Sequence, residues 1–128
     1  MNSKSISLVE SISDNTLNHW IIDAIQDIKG KNILKLDLRK LDDAPADYFI
    51  ICEGDSSTQV KAISDSISRK VKEKVGINAN HMEGVSGAKW ILVDFFDTVV
   101  HVFYPETRAF YEIEELWGDA IVTQYENI

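Results

Sequence analysis

The segment EGDSSTQ, residues 53–59, has the residue types of a phosphate-binding loop. It places Gly54 and two serines between a predicted strand and a predicted helix, where backbone N–H groups and the helix dipole can hold a phosphate. Enzymes that transfer nucleotides use such an opening together with paired carboxylates that bind metal. No such pair follows here on alternate positions of a later strand, and the two acidic residues of the segment would repel phosphate. The segment therefore favours a simple helix cap, with Ser56 and Gln59 as a capping box.

Other reactive side chains are scattered along the chain. Cys52 is the single cysteine and lies in the apolar run YFIICEG, so we interpret it as a small buried residue and expect no internal disulfide. Asp94 and Asp97 are three positions apart, and no G-x-S-x-G motif occurs. No two histidines have metal-ligand spacing (His19, His81, His101). These patterns predict no catalytic residues, no metal site, no cofactor and no enzymatic activity.

The run WILVDFFDTVVHVF, residues 90–103, has the pattern of a β-hairpin that is apolar on both faces. A two-residue loop at Phe96 and Asp97 fixes the register of the two strands. The predicted cross-strand pairs are Phe95 with Thr98, Asp94 with Val99, Leu92 with His101, and Trp90 with Phe103.

Because side chains alternate along a strand, this register sorts the hairpin into two faces. One face has no charged group and should point into the core (Ile91, Val93, Phe95, Val100, Val102, Tyr104). The other mixes large apolar groups with a carboxylate and an imidazole, and is predicted to be the open face that binds a partner (Trp90, Leu92, Asp94, Val99, His101, Phe103). The alternative is that the third helix or a loop covers this face and that Asp94 pairs with a lysine or arginine.

The remaining patterns supply the elements around the hairpin. Helical spacing predicts helices in 15–30, 56–76 and 105–118, the last with Phe110, Ile113 and either Leu116 or Trp117 inward. Alternation predicts a strand in 33–41, and an apolar run predicts a central strand in 48–52. Residues 77–88 are interpreted as a loop. The order α-β-β-α-β-β-α predicts an α+β fold in which helices flank a mixed sheet.

Composition limits the classes of partner. The chain has 128 residues, 45% of them hydrophobic, and carries a net charge of −8. We predict a single domain over 1–128, with a core at about 15–120 and loosely held tails at 1–13 and 121–128. Acidity argues against direct binding to nucleic acid or an anionic membrane and favours a basic protein partner. No apolar run is long enough for a membrane span, and no leader pattern is visible, so we expect a cytoplasmic protein.

Three blocks of the sequence resemble the ribosomal silencing factor family, also called Iojap-like. They are ADYFIICEGDSSTQVKAISDSI, the Glu-Gly pair at 83–84, and KWILVDFFDTVVHVFYPETRAFYEIEELWGDA. The resemblance extends from the first helix to Ala120, and the ending VVHVF…R.FY.IE.LWGDA is its most specific part. Two departures stand out. Phe96 occupies a turn position that is usually glycine in the family, and the Glu-Gly-Asp-Ser-Ser segment is more acidic than its family counterpart.

The resemblance implies a fold related to the nucleotidyltransferases without their catalytic residues. It implies binding to ribosomal protein fourteen of the large subunit, where the factor blocks joining of the small subunit and represses translation, and a tendency to form homodimers. By position, Trp90 and Asp94 match the family's W-[IV]-[VL]-[VL]-D strand, and Val99 and His101 lie on its partner strand. The alternative function is a nucleotide-binding or nucleotidyl-transferring enzyme on a related fold.

Overall fold

A computed structural model describes residues 4–128, with side chains from Thr16 onward. Its centre is a six-stranded mixed sheet in the order β3-β4-β5-β2-β1-β6. The strands β2 and β5 are parallel, and every other neighbouring pair is antiparallel. The elements follow the chain as α1 (Lys4–Asp27), β1 (Lys31–Asp37), β2 (Tyr48–Glu53), α2 (Ser57–Val75), β3 (His81–Glu83), β4 (Trp90–Asp94), β5 (Thr98–Phe103), α3 (Pro105–Tyr111), α4 (Ile113–Leu116) and β6 (Ile121–Tyr125).

The predicted α+β class and mixed sheet are confirmed, but the sheet has two more strands than predicted. Part of the predicted loop 77–88 forms the three-residue strand β3 along β4. The prediction of a loose tail at 121–128 is wrong for Ile121–Tyr125, which pair with β1 as the edge strand β6. Both strands are short and lie at the edges of the sheet. Few of their side chains face the core, so their sequences show only a weak alternation of polar and apolar residues.

The helix boundaries also differ from the predictions. Helix α1 begins at Lys4 rather than near residue 15. Of the predicted tail 1–13, residues 1–3 lie outside the described residues, and loose attachment of the others stays a prediction. The predicted third helix is two helices, because Glu112 adopts a left-handed conformation (φ 45°) and ends α3.

One face of the sheet is covered by α1 and α2 and holds the larger core. The predicted stripes of both helices pack there: Leu17, Ile21 and Ala24 from α1 and Val60, Ile63, Ile67 and Val71 from α2. They contact alternate residues of the central strands, among them Ile50, Cys52, Val100 and Val102. Burial raises the pKa of the Cys52 thiol to about 12, so this cysteine is an inert core residue.

The segment after β2 is a helix cap, as predicted. The Ser56 hydroxyl accepts a hydrogen bond from the Gln59 backbone N–H (3.0 Å). The Gln59 side chain completes the cap differently from a standard capping box, because its carbonyl oxygen accepts from the Asp55 N–H instead of the Ser56 N–H. Its amide nitrogen donates to the Ile28 carbonyl and so joins the start of α2 to the end of α1. Gly76 ends the helix at φ 83°.

The hairpin register is confirmed at each predicted pair. Trp90 lies opposite Phe103, Leu92 opposite His101 and Asp94 opposite Val99, and the Phe95 N–H donates to the Thr98 carbonyl. The turn forces Phe96 into positive φ (72°), the conformation that the family's glycine would adopt without strain. Two bonds hold it there: the Asp97 N–H donates to the Phe95 carbonyl, closing a γ-turn, and the Phe96 N–H donates to an Asp94 carboxylate oxygen (2.7 Å).

Among the described residues, no helix is both long and apolar enough to cross a membrane.

Candidate partner-binding surface

The second face of the sheet is built from the side chains that alternate with the helix-covered ones. A smaller cluster lies here, centred on Leu36, Leu38, Phe49, Ile51 and Phe103, and closed from outside by Ile113 and Trp117. The charge-free face of the hairpin points the other way, into the larger core, as predicted. Within the described part of the chain, this second face is covered by the short segment α3–α4 and the loop after β1, and part of it stays in contact with solvent.

The six predicted binding residues divide into two groups. Trp90, Leu92 and Asp94 on β4 are half-buried and reach the surface. Their partners on β5 do not, because Phe103 is 0% exposed, His101 5% and Val99 8%. The prediction of an open face is therefore right for β4 and wrong for β5. The alternative given above, cover by the third helix, is right for β5, because Ile113 and Trp117 of the predicted helix 105–118 pack in one cluster with Val99 and Phe103.

His101 lies beneath Trp90 and holds it. The Trp90 indole N–H donates to His101 Nδ1 (3.1 Å), which requires the imidazole to be neutral with its proton on Nε2. Burial lowers the pKa of His101 to about 4, consistent with that state. Its Nε2 is buried and has no hydrogen-bond partner among the described residues. A buried residue of this kind orients the tryptophan ring rather than touching a partner itself.

Trp90 is also part of a chain of aromatic rings that leads outward. Its ring lies 4.9 Å from that of Phe103 below and 5.0 Å from that of Tyr111 on α3. Tyr111 in turn contacts Phe110 edge to face (4.9 Å between ring centroids). The predicted inward position of Phe110 is wrong, since this side chain is 79% exposed, and Leu116 is likewise exposed while Trp117 packs inward.

Edge strand β3 borders the surface on the other side of Trp90. Its register places Glu83 opposite Leu92 and His81 opposite Asp94. The next residue, Gly84, has φ 83°, and a Cβ there would lie 2.0 Å from the Trp90 carbonyl oxygen. Glycine is thus required for the chain to turn over the start of β4, which leaves a shallow groove lined by Glu83, Gly84, Trp90 and Leu92.

Asp94 has a structural contact that the sequence analysis missed. The alternative that it pairs with a lysine or arginine is wrong, since the ion pairs of the described residues do not include Asp94. Its carboxylate accepts instead from the Phe96 N–H at the turn. Asp94 therefore stabilises the hairpin tip as well as contributing charge to the surface.

A buried arginine anchors α3 and α4 to the sheet. The Arg108 guanidinium donates to carboxylates of Glu53 at the end of β2 (3.0 Å) and Glu114 on α4 (2.9 Å), and to the Asn32 carbonyl. Sequence reasoning missed this network, because Arg108 and Glu114 are six residues apart, a spacing that points side chains to different sides of one continuous helix. They meet because Glu112 interrupts the predicted helix. The network determines where α3 lies and hence where Tyr111 and Phe110 meet Trp90.

No group of three or more potential metal-binding side chains (His, Cys, Asp or Glu) is found within the described part of the chain. The former phosphate-binding candidate is occupied by its own contacts, since Asp55 forms an ion pair with Lys31 (2.8 Å) and its backbone N–H is bonded to Gln59. The arrangement on the second face is thus suited to contact with a macromolecule: a half-exposed tryptophan, fixed from below and bordered by aromatic and acidic groups.

A profile of the family described as "Ribosomal silencing factor during starvation" matches residues 11–128. The chain belongs to the ribosomal silencing factor family. It is 37% identical to the ribosomal silencing factor RsfS of Halalkalibacterium halodurans, over 91% of this chain and 98% of the relative. It is 45% identical to the Bacillus subtilis factor of the same name, over 76% of this chain and 80% of the relative.

Two solved structures share the fold of this ribosomal silencing factor family member. A crystal structure from Chromobacterium violaceum superposes with a TM-score of 0.77 at 42% identity, covering 81% of this chain and 85% of the other. A Bacillus halodurans structure gives 0.71 at 34% identity, covering 88% and 98%. A more distant relative, at 34% identity over 56% of this chain and 32% of its own length, is the mouse protein named "Mitochondrial assembly of ribosomal large subunit protein 1". The related proteins are named as silencing or assembly factors and not as enzymes.

Proposed function

We propose that this protein binds the large ribosomal subunit through ribosomal protein fourteen, blocks joining of the small subunit and so represses translation. The observation that carries the proposal is the half-buried Trp90, whose indole N–H is bonded to His101 and which lies beside the carboxylates of Glu83 and Glu106. Tryptophan is among the residues that dominate binding energy at protein interfaces, particularly when it is well packed at its base. Membership of the silencing factor family supports the ribosome as the partner.

Charge supports a ribosomal protein as the direct contact. The chain carries −8, and proteins that bind ribosomal RNA are typically basic, so complementary potentials should accelerate their association. Direct binding to RNA is disfavoured by the same charge. The name of the mouse relative, which concerns assembly of the large subunit, is consistent with a partner on that subunit.

Repression on this proposal is steric and needs no catalysis. A domain placed on the joining face of the large subunit occupies volume that the small subunit needs. We expect one copy per large subunit to suffice, with no requirement for nucleotide or metal. The protein acts in the cytoplasm on this account, and any homodimer would have to leave the surface around Trp90 accessible.

Subunit joining in a sucrose gradient tests the proposal. Separated subunits are mixed under joining conditions with increasing amounts of the protein, without nucleotide, and large-subunit binding is followed in the same fractions. We expect the yield of joined ribosomes to fall and to saturate near one copy per large subunit. An unchanged yield with the protein fully bound would contradict occlusion while leaving the binding surface in place.

A further inference from the structure

The surface around Trp90 continues onto helix α3 in a cleft that the predicted binding residues do not include. The cleft has a volume of about 420 Å³ and is lined by Lys89, Trp90, Glu106, Thr107, Phe110 and Tyr111. Phe110 and Tyr111 are 79% and 51% exposed. The two side chains contact each other, and Tyr111 contacts the half-buried Trp90, so the three rings form an apolar patch that suits an interface.

The segment 105–119 carries five carboxylates (Glu106, Glu112, Glu114, Glu115, Asp119) and one cation, Arg108. Of these carboxylates Glu106 lines the cleft, and Glu112, Glu114 and Glu115 line a second pocket beside α3. Arg108 is buried in its ion pairs with Glu53 and Glu114, so it offers no charge to a partner. Lys89 also lines the cleft, and its ammonium lies over the Tyr104 ring, 5.7 Å from the ring centroid and within the roughly 6 Å of a cation–π contact.

We infer that the cleft formed by Trp90, Phe110 and Tyr111 binds a basic side chain, an arginine or lysine, of the ribosomal protein that covers Trp90. Aromatic faces attract a cation through the ring quadrupole, and a carboxylate beside them, here Glu106, adds to the attraction. A planar guanidinium fits best because it can stack on a ring and still hydrogen-bond at its edge. The inference rests on the proposed function, since it names the chemistry of that same partner.

The cleft exists because α3 is held in a fixed position against the sheet. Phe110 and Tyr111 lie two and three residues after Arg108, and Arg108 fixes the helix to Glu53 at the end of β2. Pro105 begins the helix and Glu112 ends it with φ 45°. The three rings therefore come from two elements, β4 and α3, whose relative placement is set by buried contacts before any partner binds.

Two substitutions at Phe110 distinguish a cationic occupant of the cleft from an apolar one. Phe110→Tyr keeps the aromatic face, whereas Phe110→Leu keeps an apolar side chain and removes the ring. Because Phe110 is largely exposed, both variants should fold, which thermal unfolding followed by circular dichroism checks. Affinity for purified large subunits is measured for both, with Trp90→Ala and Ile77→Ala, at an exposed position that does not line the cleft, as controls.

We expect Phe110→Leu to weaken binding by about 5-fold or more and Phe110→Tyr to bind within about 2-fold of the unaltered protein, as the size of a cation–π contact implies. Equal affinities of the Leu and Tyr variants, whether both retained or both weakened, would overturn the inference. In that case a loss with Trp90→Ala would still support the proposed function. If Trp90→Ala also binds normally, the proposed function fails together with the cleft.

Discussion

One face of the sheet is covered by two long helices and the other by a short segment near the C-terminus. The helix-covered core is mostly aliphatic, with stripes from α1 and α2 against Ile50, Val100 and Val102. The second cluster is rich in rings, combining Phe49, Phe103, Trp90 and Trp117 with a buried imidazole. The first face has continuous cover, whereas the second has incomplete cover and leaves Trp90, Leu92 and Asp94 partly exposed.

The two faces also differ in what holds their cover in place. On the first, apolar packing is supplemented by hydrogen bonds between elements, such as the Ser66 hydroxyl to the Ala24 carbonyl. On the second, α3 has seven residues and α4 four, too few to be stable alone. Their position depends on Arg108 and on the packing of Ile113 and Trp117. A buried network of ion pairs can thus hold two short helices in place where no long helix covers the sheet.

The substitution with the largest expected effect on stability is on the helix-covered face. Ile63 on α2 is fully buried against the sheet, so Ile63→Ala should lower the free energy of unfolding by about 4 kcal/mol. Its counterpart under the second face, Ile113→Ala, should cost about 2 kcal/mol because the thin cover around it can relax. Chemical denaturation measures both. A larger loss of unfolding free energy for Ile113→Ala than for Ile63→Ala would contradict the proposed difference between the two faces.

Removal of the buried cation should act locally on the second face. Arg108→Ala leaves Glu53 and Glu114 without their partner and should cost about 3 kcal/mol, as for other disrupted buried ion pairs. Hydrogen exchange should show the loss as faster exchange in 105–117, with the central strands still protected. Uniformly faster exchange across both faces would show instead that α3–α4 unfold only with the whole domain.

A smaller effect should appear in the pH dependence of stability. Folding lowers the pKa of His101 from 6.5 to about 4, so below pH 6.5 the unfolded chain binds a proton that the folded chain excludes. This contribution to stability is full above pH 6.5 and is lost as the pH falls towards 4. The loss is about 1.4 kcal/mol per pH unit, or about 2 kcal/mol between pH 6 and 4.5.

A matched variant distinguishes the contribution of His101 to this pH dependence from the contribution of carboxylates that titrate over the same pH range. His101→Gln retains an oxygen that can accept the Trp90 indole N–H but has no proton to gain. Urea unfolding of both proteins from pH 7 to 4.5 should give a shallower loss of stability for the variant. Parallel curves would show that His101 is protonated equally in the folded and unfolded states.

The parts of the fold that the sequence predicted are those in which local pattern and tertiary environment agree. The uninterrupted apolar run of β2 requires cover on both sides, and its central position next to β5 provides it. The hairpin register followed from the loop at Phe96 and Asp97 even though Phe96 adopts a conformation that is unfavourable for its type. Both signals lie within a few residues of the structure that they specify.

The candidate surface was only partly predictable because its limits are set by residues outside the hairpin. The sequence predicted Ile113 inward and allowed cover by the third helix as an alternative, but the break at Glu112 that places Ile113 and Trp117 in the cluster with Phe103 has no local sequence signal. Phe110 was predicted inward from helical spacing, yet the short α3 turns it to solvent beside Trp90. Strand β6 was missed because its side chains are mostly exposed and show no alternation.

The affinity of Trp90→Ala for purified large ribosomal subunits tests the central claim most directly. We expect the variant to keep its circular dichroism spectrum and to lose roughly 2 kcal/mol of binding, about 30-fold, while Ile77→Ala binds normally. An unfolded variant would show that Trp90 serves the core alone. A folded variant with unchanged affinity would show that the ribosome is bound elsewhere, and either result would contradict the assignment of the second face to the partner.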